Sequence, residues 1–295
     1  MNISIKKIRK QGHLLLNSVC KRICILLEKC HIINTHAILY MDGGICSQMY
    51  VYLIGEALKR RGNAIEFDIE YFEHSGNVQY PRLGRYFELT TAFPHIELAV
   101  SAHWRNKLYR FLFRYESKDC QLPRAYQKPI YFTGWYKLSD EEWVPQFKQI
   151  FSKWFAMETK TTRRGCSVHV RRGDLSHQWC PYYGYCDTEY FINAIEYVYQ
   201  KYENCVFYFY SDEPDWVKEN ICTRLTVTYE VVESNVNAYK DLFEIASRSV
   251  IIASQGSFGK FAALLNPNAE LIIQNDVFAA EWTKRITNLH LIDIR

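Results

Sequence analysis

"VFYFYSDEPDWVKENI", residues 206–221, decides how this chain folds. The run Val206–Tyr210 is apolar or aromatic without a break, too short for an ordinary helix and rich in residues that suit a pleated sheet. It reads as a strand over 205–211, covered on both faces. Ser211, Asp212 and Glu213 then end the run. Pro214 fits the first turn of a helix, where the N–H it lacks has no partner anyway. The helix reads over 214–221, and the same alternation extends to both sides. Upstream lie a strand at 166–170 and a helix at 188–202. Downstream come strand 226–232, helix 237–247, strand 250–254, helix 257–265 and strand 270–274. Strands that are apolar throughout, such as "SVIIAS", have helices on both faces and are joined by right-handed parallel crossovers.

The other half opens in the same way. Ala37–Met41 is a short apolar run, followed by "DGGICSQM" and then "YVYLIGEALKRRG". That is strand, glycine turn and helix, with Arg60-Arg61-Gly62 as a basic, glycine-ended stop. "AIEFDIEYF" follows as a second strand. The expectation is an α/β protein of two Rossmann-like domains, 35–160 and 161–295, divided at the polar, basic stretch Thr159–Arg164. Between 75 and 165 the prolines at 81, 94, 123, 129 and 145 interrupt the pattern. Helices near 84–91, 105–115 and 140–157 are expected there without an order.

Residues 1–34 form a separate basic segment. Lys6, Lys7, Arg9, Lys10, Lys21, Arg22 and Lys29 are interleaved with apolar residues at helical spacing. No apolar run is long enough to span a bilayer. Two readings stand: an amphipathic helix lying in the interface of an anionic membrane, or a helix packed on the body of the protein.

Composition narrows the function. The 295 residues are 48% apolar and 23% charged, which is globular. A net charge of +4 is too small for bulk nucleic-acid binding. The ten cysteines are scattered and no cleavable signal precedes them, so a cytoplasmic chain with reduced thiols is expected. Cys180 and Cys186 with His177 make one loose pair, a poor match to structural zinc spacing, and no metal site is expected.

Open α/β sheets bind ligands at the carboxyl ends of their strands. Three such ends carry polar residues here: His169 through Asp174, Ser211-Asp212, and Ser254 through Phe258. Arg171 and Arg172 offer planar donor forks, and a helix starting at Ser257 offers free N–H groups. Together these describe a diphosphate site. The two carboxylate oxygens of Asp212 suit the two-donor edge of guanine. Each element also has a structural reading: the arginines pair with Asp174, Ser211 and Ser257 cap helices, and His169 is a satisfied core histidine.

"HVRRGD", residues 169–174, resembles the HxRRxD signature of fucosyltransferases. The order of the other blocks resembles glycosyltransferase family 11, the α1,2-fucosyltransferases. "GGICSQM" is similar to that family's glycine-rich opening, "YFYSDEPDWVKENI" to its Asp/Trp block, and "DLFEIASRSVIIASQGSFGKFAALLN" to its last. The resemblance implies a GT-B fold, two Rossmann-like domains facing across a cleft. It implies metal-free, inverting transfer of L-fucose from GDP-fucose to a hydroxyl, O-2 of a galactoside, in polysaccharide biosynthesis. It assigns the diphosphate and catalysis to Arg172 with Arg171 and Asp174. His169 orients the pair, Ser211 and Asp212 take the nucleotide, and Ser257 with Phe258 closes the diphosphate end. Gly43, Gly44, Ser47 and Gln48 face the acceptor. The partners implied are a GDP-sugar and a glycan or lipid-linked oligosaccharide. The place implied is the inner face of the cytoplasmic membrane, peripherally attached.

This sequence departs from the family at two points. Ser47 stands where the family has Asn, and "SQGSFGKF" lacks its tryptophan pair, with Lys260 nearby. These leave open a different activated deoxyhexose, or a binding protein without turnover. For a catalytic base the chain offers Asp174, Asp42 and Glu189.

Overall fold

The computed structural model describes residues 2–32 (2–14 as backbone), 37–74, 85–115, 122, 129–133, 137–160, 162–173, 186–275 and 288–292. It divides into two compact units. One is Met1–Thr90 with Pro94–Trp143, the other Thr91–Phe93 with Val144–Arg295.

The first unit begins with helix α1 (Asn2–Lys29). Strand β1 (Ala37–Tyr40), helix α2 (Ile45–Arg60) and strand β2 (Ile65–Asp68) then make the βαβ opening read from the sequence. The short helices α3 (Glu70–His74) and α4 (Leu89–Ala92) follow, then α5 (His103–Leu112), β3 (Arg114–Tyr115) and β4 (Ile130–Phe132). The strands are parallel in the order β2-β1-β4-β3. Buried Ala37, Ile38 and Leu39 of β1 and Met49, Leu53, Ala57 and Leu58 of α2 form the centre. At the carboxyl edge of this sheet the buried Asp68 accepts from Arg110 Nη2 at 2.7 Å and from the Tyr131 hydroxyl, which ties α5 to the strands.

Helix α1 belongs to this unit. Cys24 is buried with Tyr109, Leu112 and Phe113, and Glu28 accepts from the Tyr109 hydroxyl at 2.7 Å. Its inner face is therefore packed on the body of the protein.

The second unit starts within a long helical run: α6 (Asp140–Phe147), a π turn at Lys148–Ser152, and α7 (Lys153–Thr159). Pro145 sits inside α6 and does not end it. Losing one amide disturbs only the local ladder, and the π turn comes within a few residues. From Val144 onward the run packs on helices of the C-terminal half. Ser152 Oγ donates to Leu264 O at 2.8 Å, and Phe147 and Phe155 lie 5.1 and 5.4 Å from Phe261 and Phe243. The units therefore divide at Trp143 and Val144, ahead of the Thr159–Arg164 stretch that the sequence suggests.

Among the described residues, six strands complete this unit: β5 (Arg163–Val170), β6 (Phe207–Ser211), β7 (Tyr229–Val231), β8 (Arg248–Ala253), β9 (Leu271–Asn275) and β10 (Leu289–Ile292). The helices are α8 (Thr188–Lys201), α9 (Pro214–Asn220), α10 (Ala238–Ala246) and α11 (Phe258–Leu265). All strand pairs are parallel, in the order β7-β6-β5-β8-β9-β10. Numbered within the unit, this is the 3-2-1-4-5-6 order of dinucleotide-binding sheets. Cys166, Val168, Val170, Phe207, Phe209, Val250, Ile252 and Ile273 face α8 and α9, against Tyr190, Phe191, Ile195, Val198 and Val217. On the opposite face Ser167 Oγ ties β5 to α10 through Ile245 O at 2.9 Å. Each unit is thus a parallel, Rossmann-like α/β layer of the kind from which a GT-B fold is built.

Candidate functional site

The chain leaves β5 toward β6 on one side and returns to β8 on the other, so strand order reverses at the carboxyl end of β5. There the register sets Val170 beside Ser211 and His169 beside Ala253. The three polar strand ends found in the sequence therefore lie side by side on one sheet edge. Asp174 falls outside the described residues, as do His177 and Cys180.

The arginines are held by acids from the neighbouring strand. Arg171 pairs through Nη1 with Asp212 Oδ2, while Asp212 Oδ1 accepts the amide of Arg172 at 2.9 Å. Both oxygens that the sequence offers to guanine are thus committed to the arginine segment, and Asp212 acts as its clamp. Arg172 Nε donates to Glu213 Oε2 at 3.2 Å, and its guanidinium lies 3.7 Å from the centre of the Trp216 ring. Stacking on an indole presets the plane of the donor fork. Gly173 adopts φ +26°, and a Cβ there would sit 2.5 Å from Asp212 Oδ2, so glycine lets the clamp close. Ser211 Oγ accepts the Glu213 amide at 3.0 Å and shapes the turn into α9.

The third strand end fixes the backbone beneath the arginines. Ser254 Oγ accepts the Arg171 amide at 3.1 Å and bonds His169 Nδ1 at 3.0 Å. Phe258 stacks on His169 with ring centres 5.3 Å apart. Gly259 permits that approach: a Cβ there would be 2.9 Å from His169 Nδ1 and 3.0 Å from Ala253 Cβ. Gln255, which no motif singles out, latches two segments together. Its Nε2 donates to Arg171 O at 2.7 Å and its Oε1 accepts the Cys186 amide at 2.8 Å. A glutamine in a Gly/Ser turn carries no sequence signal for such a role; strand adjacency reveals it. Ser257 makes no side-chain cap at the start of α11.

His169 is 6% exposed, and burial, with the nearby Arg171 charge, lowers its pKa to about 3. The imidazole is therefore neutral at physiological pH and positions Ser254. The unfolded chain takes up a proton near pH 6.5 that the folded chain refuses. Stability from this group is present above that pH and is lost as pH falls toward 3. Between about pH 7 and pH 5 the loss is about 2 kcal/mol. His169→Asn, which retains a polar partner for Ser254, is expected to flatten this part of the pH dependence in urea titrations at the two pH values.

Asp212→Asn keeps an acceptor for the Arg172 amide and removes the counter-charge of Arg171. It is expected to cost about 2 kcal/mol in urea denaturation and to weaken GDP and ADP alike. A variant of unchanged stability that loses only GDP would mean that Asp212 reads the base.

In the first unit, Gly43 and Gly44 lie between β1 and α2, as expected. Gln48 is fully buried and spends its amide on the neighbouring chain: Nε2 donates to Tyr86 O at 2.8 Å, and Oε1 accepts from the Glu88 and Leu89 amides. Its observed role is to anchor that segment. Ser47 is buried against Gly43, and its hydroxyl has no hydrogen-bond partner among the described residues. Asp42, at the end of β1, has its carboxyl pushed up by burial, against the pull of Arg85. Glu189 instead lies on the surface, paired with Arg224 at 2.5 Å.

Comparison with known proteins adds three findings. The family model for glycosyl transferase family 11 matches residues 95–291, more than half of the chain. An alpha-1,2-colitosyltransferase of Escherichia coli is 28% identical over 103 residues, which cover 34% of this chain and 35% of that protein. A solved structure of the E. coli ADP-heptose LPS heptosyltransferase II superposes with a TM-score of 0.43 at 9% identity, over 88% of this chain and 90% of that one.

Proposed function

Since the chain belongs to glycosyl transferase family 11, we propose that it transfers L-fucose from GDP-fucose to O-2 of a galactoside in a surface glycan, with inversion and without a metal. The observation that carries this reading is the pair Arg171 and Arg172, clamped at the strand-order reversal beside the uncapped start of α11. In the transfer, the acceptor oxygen bonds to the anomeric carbon as the bond to the β-phosphate oxygen breaks. GDP leaves with the electron pair. The arginines and the α11 amides meet the charge that develops on the diphosphate, the task a divalent ion performs in other transferases. The acceptor proton passes to a carboxylate. Of the carboxylates the sequence offers, Asp42 is one whose proton affinity burial raises. Glu189 is already spent on Arg224.

A second reading keeps the reaction and changes the sugar. The relative named as a colitosyltransferase and the replacement of the family's tryptophan pair by "SQGSFGKF" favour another activated deoxyhexose. Incubation with GDP-fucose, other GDP-deoxyhexoses and UDP-sugars, read as nucleotide release with and without a galactoside, tests both readings. Release from GDP-fucose supports the first. Release from another GDP-deoxyhexose alone supports the second. No release from any GDP-sugar overturns both.

A further inference from the structure

The two faces of α1 carry opposite instructions. Cys24 and Glu28 are buried against the first unit, with Cys20 partly covered beside them. Leu15, Leu16, Val19, Ile23 and Leu26 lie on the other side and are between 47% and 70% exposed. At about 100° per residue these five fall on one side of the helix, a continuous apolar stripe left in water. Exposed Arg22 and Lys29 flank it on one side. The sole acid between residues 2 and 29 is Glu28, which is turned inward onto Tyr109. Lys6, Lys7, Arg9 and Lys10 extend the positive charge in the sequence. Helix α5, which packs with α1, exposes Trp104 and Phe111 with Lys107 between them.

We infer that α1 docks the protein on an anionic lipid bilayer, its axis in the membrane plane and its outer stripe in the headgroup boundary. The charge pattern selects this occupant. A second copy would set one positive helix against another, whereas an anionic surface attracts both the stripe and its rim. No helix among the described residues is long and apolar enough to cross a membrane, so α1 lies on the bilayer. The inference is independent of the transferase reading, since it concerns a face of the first unit opposite to the packed one.

Deleting α1 is a poor test, because Cys24 and Glu28 are part of the packing. The full-length protein is instead sedimented with vesicles of phosphatidylcholine alone and with about a third phosphatidylglycerol. Ile23→Asp with Leu26→Asp, and separately Arg22→Glu with Lys29→Glu, are compared with the parent, with circular dichroism and GDP titration on the same samples. Binding only to the anionic vesicles is expected, falling roughly tenfold or more in each double variant while the fold and GDP binding persist. Equal sedimentation of parent and variants overturns the inference. So does failure of the parent to bind, or a parent dimer that the aspartates dissociate, which would make the occupant a second copy. Lost GDP binding in every sample would count against the transferase reading alone.

Discussion

Arg172→Ala is expected to weaken GDP binding about a hundredfold and to lower turnover at saturating donor by roughly 10²–10³. The guanidinium is stacked on the Trp216 ring and steered by Glu213, so its plane is fixed before any ligand arrives. On the proposed reading, loss of the side chain takes away one of the two planar forks that meet the diphosphate as its charge develops. Arg172→Lys is expected to rescue little, because an ammonium keeps the charge and loses both the fork and the stacking. Stability is expected to change less than in Asp212→Asn, since Arg172 is half of a partly exposed pair. Calorimetric titration and steady-state kinetics on the three proteins separate these effects. Full GDP affinity in the alanine variant would assign the arginine to structure.

Asp42→Asn is expected to lower kcat by about 10²–10³ while GDP affinity stays within a factor of about two. That split separates a proton acceptor from a donor-binding group. The pH profile supplies an independent sign. A base works only when ionised, and burial raises this carboxyl above the ordinary aspartate range. Turnover of the parent should therefore rise with pH through that raised value, and the acidic limb should vanish in the asparagine variant. An unchanged kcat, or an acidic limb that survives, would move the base elsewhere.

The second unit is legible in sequence because its strands are near-continuous apolar runs between helices with clear starts. Phe207–Ser211, Arg248–Ala253 and Leu271–Asn275 lie close to where periodicity puts them. Strands β3 and β4, of two and three residues, are too short to show a period. Pro145 reads as a breaker in isolation and is tolerated because the run continues through a π turn. The domain boundary misleads for a related reason: polarity marks Thr159–Arg164, but aromatic packing at Phe147 and Phe155 decides which unit owns the helix.

The candidate site is legible as a set of loops and illegible as a network. Spacing announces that Arg171, Asp212 and Ser257 lie at strand ends. It says nothing of which strands are neighbours, and the bonds that hold the arginine segment join residues 40 or more positions apart. Asp212 reads as an open acceptor in sequence because its partners come from another strand. His169 reads either as a ligand-orienting group or as a core histidine. The structure makes it both buried and one bond from the serine that holds Arg171.

The most direct test is calorimetric titration of the purified protein with GDP, GDP-fucose, UDP and ADP in the presence of EDTA, repeated on Arg172→Ala. Binding of the guanine nucleotides that survives the chelator and collapses in the variant is the predicted result. Undiminished binding in Arg172→Ala, or binding of UDP that requires a divalent ion, would contradict the claim that the arginine pair receives a GDP-sugar diphosphate.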